Sequence, residues 1–315
     1  MNNAYKKIEF VNFNCTFGEE CSPLLSHFSD ILYTALTQGY VFKKNSKTQC
    51  RLQNVRIENM NDAYVLVGNF VKDTIIEVKS HSYNDDIIPA DEKYPSSPYS
   101  IFILSLKNHR MAFYRNQPGS PYIRSMKTIV SDCVKRYLRK INKGRNYADK
   151  LPAANINITP IPSAATVEEK FGAIKKINHL SFKVYPLNGD PDISEAFSIL
   201  RQSNQRLGSK SLSVQIPSPN NIYEVERTIK SLDGRAIPKV KAIAIDGSPV
   251  EFDENSFTES LFASINPNDN YNNITKDIYS AIKGNQIMTK TSDNNLDIYK
   301  RSLDEIKLIV NSYKS

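Results

Sequence analysis

The chain has 315 residues, 40% of them hydrophobic, with 17 Tyr, 14 Phe and no Trp. That length admits one large domain or two ordinary ones, and without Pro or Gly enrichment the composition excludes wholesale disorder. The formal charge of +8 favours a polyanionic partner, and with no apolar run long enough for a membrane helix and no signal peptide a cytoplasmic protein is expected.

In chain order, residues 7–15 alternate as a strand. Ser22 and Pro23 then read as cap and first turn of a helix whose apolar spacing runs from Leu24 to Leu36, with Gly39 as its stop. Strands are predicted at 51–60, 63–71 and 74–80. Residues 85–98, with three prolines and four acids, read as an exposed loop. A buried strand at 99–107 turns through Asn108 and His109 into another at 111–115. NQPGSP breaks it, Ser120 caps a long helix over 121–143, and Gly144 ends that helix. Strands at 155–161 and 178–186 flank a short helix near Glu168. A helix at 192–206 precedes a small β-α-β-β unit: strand 211–216, helix 222–232, strands 240–245 and 249–252. A polar linker over 266–273 leads to helices at 274–282 and 292–313. The expected fold is α+β: a mixed, mostly antiparallel sheet with packed helices, plus a smaller β-α-β-β domain. The domain limits are 1–186, 187–253 and 254–315 for the C-terminal helices.

The helix over 121–143 carries the strongest chemical signal. Arg124, Lys127, Lys135, Arg136, Arg139, Lys140 and Lys143 lie on it and Arg145 just beyond, with Asp132 as the only acid. At 100° per residue Tyr122, Met126, Ile129, Val130, Cys133, Val134 and Tyr137 share one face, and Arg124, Lys135, Arg136, Arg139 and Lys143 the opposite one. A helix C-terminus attracts cations through its dipole, which explains part of this as an ordinary solvated face. The dipole does not explain the like-charged pairs Lys135/Arg139, Arg136/Lys140 and Arg139/Lys143, each costing about 0.2–0.5 kcal/mol. Phosphates convert that repulsion into attraction. A second basic run, Lys210, Arg227, Lys230, Arg235, Lys239 and Lys241, is interrupted by Glu224, Glu226 and Asp233 and is closer to a mixed surface. Neither run carries a base-reading signature, so backbone contact without sequence readout is expected.

Glu77-Val78-Lys79, with Asp62 or Asp73 upstream, matches the acid-then-E-x-K pattern of metal-dependent nucleases, but half-exposed strands produce E-x-K by alternation alone. Phosphate-loop, dinucleotide-binding and zinc-protease motifs are absent. The four histidines read as structural. Cys15, Cys21, Cys50 and Cys133 form no C-x-x-C and read as reduced thiols rather than zinc ligands. No catalytic residue, metal or cofactor is expected. At the C-terminus Leu296, Tyr299, Leu303, Ile306, Val310 and Tyr313 repeat at 3,4,3,4,3, a seam that suits either a core helix or a dimer.

Three stretches carry a family resemblance: YSIFILSLKNHRMAFYR followed by the break and the basic helix; NINITPI with INHLSFKVYP; and KSLSVQIPSP through SPVEF. Together they resemble the RexA-type exclusion proteins of lambdoid phages, and more distantly the KwaB defence proteins, over residues 99–252. The resemblance implies a dimer with a mobile second domain that binds duplex DNA without sequence preference. It also implies action in phage exclusion beside a separate membrane protein. No motif transfers residue by residue, so the site rests on charge. The expectation is a non-enzymatic, sequence-independent duplex DNA-binding homodimer without a small-molecule substrate. The alternatives are a nuclease using Asp62, Glu77 and Lys79, and a protein-interaction module whose charge only aids solubility.

Overall fold

The computed structural model describes residues 4–60 and 63–312. Strand β1 (Ala4–Phe17) organises it, because its two faces serve different neighbours. Val11, Phe13, Cys15 and Phe17 point into one core. On the other face Ile8 and Phe10 enter a second core, after which Asn12, Asn14 and Thr16 turn that face polar while keeping it buried. The chain continues through β2 (Ser22–Pro23), α1 (Thr34–Thr37), β3 (Val41–Asn45), β4 (Thr48–Met60), β5 (Ala63–Tyr83) and β6 (Asp86–Ser96). Then come β7 (Tyr99–Ser105), β8 (Arg110–Arg115), α2 (Ile123–Ile141) and β9 (Ala154–Pro160). The larger sheet is antiparallel, in the order β14-β1-β8-β7-β5-β4-β3, with β14 being Ser260–Ile265. β2 and β9 also pair with β1, and β6 with β5.

A second antiparallel sheet, β11-β10-β12-β13, is built from β10 (Ile174–Val184), β11 (Leu212–Pro217), β12 (Ala236–Ala244) and β13 (Pro249–Phe252). Helices α3 (Ala164–Gly172), α4 (Glu195–Arg206) and α5 (Ile222–Lys230) complete this unit. Its core gathers residues from Val167 to Phe257, so the unit starts at α3 rather than at residue 187. Strands β9 and β10, adjacent in sequence, therefore belong to different sheets. The chain returns through β14 to α6 (Tyr271–Ile282), α7 (Gln286–Thr289) and α8 (Asp293–Ser312). The architecture is α+β.

Three further expectations are corrected. Residues 85–98 are not a loop: β5 leaves the sheet, and from Thr74 onward it pairs only with β6 as a two-stranded ribbon. Asn84 and Asp85 close it with positive φ at both positions, as a type I′ hairpin turn requires. Pro89 and Pro95 are tolerated because β6 has a partner on one side only. The single helix expected after Ser22 is instead a 3-10 turn (Leu24–His27), a π turn (Phe28–Tyr33) and then α1. The π turn buries Phe28, Ile31, Leu32 and Tyr33 together. The long helix begins at Ile123, after Tyr122, while Ser120 is buried and its Oγ accepts from the Gln117 N–H.

The small unit docks on the polar face of β1. Asn14 Nδ2 donates to the Pro186 carbonyl and its Oδ1 accepts from Asn188 N–H, both at 2.7 Å. Arg110, at the start of β8, reaches Asp233 at 2.7 Å and Asp190 at 3.5 Å, and Asn295 of α8 donates to Asp190 at 2.9 Å. The Arg110 and Asp190 side chains are only 7% and 8% exposed. Gly234 (φ +71°) lets the α5–β12 turn approach so closely that a Cβ there would lie 2.7 Å from that of Asn12. The joint is buried and ion-paired.

Candidate nucleic-acid interface

Helix α2 buries Ile123, Met126, Ile129, Val130, Cys133, Val134, Tyr137 and Leu138. That leaves Arg124, Lys135, Arg136, Arg139 and Lys140 exposed, and Lys143 and Arg145 are exposed beyond its end. The exposed cations divide into two flanks. On the β3 side, Arg136 is engaged: its Nε lies 2.8 Å from the Asp132 carboxylate and its Nη1 donates to the Val41 carbonyl at 3.1 Å. Arg145 donates to the Asp149 carbonyl at 3.3 Å.

The other flank borders a cleft of about 610 Å³ that runs between α2, the start of β9 and the small unit. Five cations line it: Lys127, Lys135 and Arg139 from α2, Lys183 from β10, and Lys210 from the segment between α4 and β11. Among the described residues, no acid lines it. Lys127 sits at its base, half-buried, with Nζ donating to Asn157 Oδ1 at 3.0 Å. Burial, and then Lys183, push its ammonium below the usual lysine range. Glu254 lies beside this end of the cleft. Burial and neighbouring Asp253 push its carboxyl up against the pull of Arg124, Lys127 and Lys183. β9 pairs with β1 on one side and has no strand partner on the other among the described residues, and Ala154–Asn157 form the cleft wall there.

Of the second basic run only Lys210 joins this site. Arg227 pairs with Glu224 at 2.7 Å, and Lys230 with Glu226 at 2.6 Å and Glu168 at 3.3 Å. Lys239 and Lys241 share Glu251. Arg235 donates to the Pro191 and Ser231 carbonyls, with Asp233 at 4.0 Å. These residues form a locally neutralised surface. Lys183 was not singled out in the sequence. Its place between buried Phe182 and Val184 says only that it points outward, and the approach of β10 to α2 is a tertiary fact.

Of the nuclease pattern, Asp73, Glu77 and Lys79 fall among the described residues. Glu77 and Lys79 lie on the β5–β6 ribbon. Lys47 approaches Glu77 at 2.5 Å, with Lys79 at 3.7 Å, and these cations hold its carboxyl below the usual range. Asp73 pairs with Arg51, and Asp62 lies outside the described residues. No group of three or more His, Cys, Asp or Glu suited to a metal occurs among the described residues. All four cysteines are unpaired.

The C-terminal seam is spent within the chain. Tyr299 and Ile306 are buried in the first core, with Leu303 and Val310 packed against it, and the Tyr299 hydroxyl accepts from Tyr64 N–H at 2.9 Å. Leu296 is half-buried, and Tyr313 lies outside the described residues. α8 rests on the Leu24–Tyr33 turns and β4, so of the two readings of the seam the core helix is the one seen within this chain. Among the described residues, no helix is long and apolar enough to cross a membrane.

Comparison with curated proteins finds no match, and neither does comparison with solved structures. A family model does match, described as a domain of unknown function, DUF4747, and it covers residues 6–215. That span takes in most of β1, the basic helix α2 and all five cations of the cleft, and on that match, two thirds of the chain, the protein belongs to the DUF4747 family.

Proposed function

We propose that this protein is a sequence-independent nucleic-acid-binding protein that holds the phosphate backbone of duplex DNA along the cleft-side flank of α2. The observation that carries the proposal is the set of five cations on one cleft with no acid lining it among the described residues. Such an arrangement costs like-charge repulsion in the free protein and returns it when phosphates displace condensed counterions. The cations come from three chain segments, which a single helix end attracting counter-charge does not explain. Nothing along the cleft resembles a base-reading element, so affinity without sequence preference follows. A role in phage exclusion rests on the RexA-type resemblance. The test is a titration of labelled duplex across salt concentrations: affinity falls steeply with salt if phosphates are the ligand, and a salt-independent or absent interaction removes the reading.

A further inference from the structure

The cationic cleft does not end at Lys210. A second cavity of about 530 Å³ continues it, sharing Asn142, Leu151, Ala153, Ala154, Asn155 and Lys210 as walls. Tyr147 and Lys150 line this continuation, and among the described residues Glu19 is its only acid. Tyr147 opens the 3-10 turn Tyr147–Asp149 and is 88% exposed. An aromatic ring this bare leaves its face open to a planar partner.

We infer that the joined cleft takes an unpaired nucleic-acid strand, with Tyr147 as a stacking platform for a base. This rests on the polyanion reading above and deepens it. The chemistry that recognises single strands without sequence preference is a basic groove that follows the backbone beside aromatic faces that accept bases. Both parts are present here in two adjoining cavities. A duplex reaches the rim cations Lys135 and Arg139, but its bases are stacked on one another and offer no face to Tyr147.

The experiment uses the full chain and fluorescence anisotropy at one salt concentration. Its probes are a labelled oligo-dT, a labelled oligo-rU, a blunt duplex of the same length and an oligoglutamate. Tyr147→Ala should weaken single-strand binding about 5- to 150-fold, the equivalent of one stacked base, and change duplex binding less than about twofold. Tyr147→Phe should bind as wild type, since the ring face is kept. Tyr147 is exposed, so matched thermal melts of all three proteins are expected. If the wild type binds duplex but neither single strand, or if Tyr147→Ala leaves single-strand affinity unchanged, the single-strand inference falls while the polyanion reading stands. If oligoglutamate binds as tightly as oligo-dT with the same Tyr147 dependence, the occupant is an acidic peptide and the inference is overturned. If no probe binds, both readings fall together.

Discussion

Neutralising the two exposed cleft cations of α2, Lys135→Gln with Arg139→Gln, separates binding from folding. If all five cleft cations meet phosphates, the log–log slope of affinity against salt is about −4.5, at about −0.9 per phosphate. Between 50 and 200 mM salt the wild type then loses about 500-fold in affinity. Removing two contacts brings the slope to about −2.7 and the loss to about 40-fold over the same interval. Stability should move the other way. Both side chains are exposed, and their i,i+4 repulsion disappears, so unfolding free energy should rise by about 0.2–0.5 kcal/mol. Anisotropy titrations at four salt concentrations, beside urea unfolding of both proteins, measure the two signs together. A wild-type slope shallower than about −1, or a double variant that keeps the wild-type slope, refutes the electrostatic argument.

Leu303→Asp with Ile306→Asp should destabilise the fold by at least about 3 kcal/mol rather than yield a folded monomer, because Ile306 is 1% exposed in the core. Urea unfolding with light scattering distinguishes the outcomes. Arg110→Met should cost about 3–5 kcal/mol by leaving Asp190 buried and unpaired, and adding Asp190→Asn should restore part of that loss in the same assay. His109 is buried beside Arg110, and burial pushes its imidazole down to about 3 in the folded protein. The unfolded chain therefore takes up the proton first. Its stability contribution is whole above pH 6.5 and is lost at up to about 1.4 kcal/mol per unit as pH falls towards 3. His109→Asn, which tolerates the positive φ at this position, should flatten that dependence in unfolding curves at pH 7, 6 and 5.

Much of the fold was legible because local pattern and burial agree. The run YSIFILS is apolar at nearly every position and lies buried on both faces of the sheet interior as β7. Helix α2 followed its 3.6-residue apolar period to within two residues of the expected end. Elements defined by partners rather than by pattern were missed. β6 contains two prolines and reads as a loop until β5 extends past the sheet to pair with it. β14 is a six-residue segment made a strand by the register Ala4↔Ile265 to Glu9↔Ser260. The alternation FVNFNCTF marked a strand, but not that its asparagines are the seat of a second unit.

The candidate site shows the same division more sharply. Fourteen cations stood out in the sequence, and a lysine carries the same letter whether it is neutralised or free. Folding supplies the distinction. Glu251 reaches Lys239 and Lys241 across the β12–β13 pair, and Glu224 reaches Arg227 one helical turn away, so those charges are spent locally. Lys183 and Lys210, from another unit, are brought to face Lys127, Lys135 and Arg139. Two of the five cleft cations therefore depend on how the small unit is seated. That seating runs through Asn12, Asn14, Arg110, Asp190 and Gly234, none of which carries a nucleic-acid signature. Residues outside the cleft lining thus fix its charge, and loosening the Arg110–Asp190 joint should weaken binding even where every cleft lysine is intact.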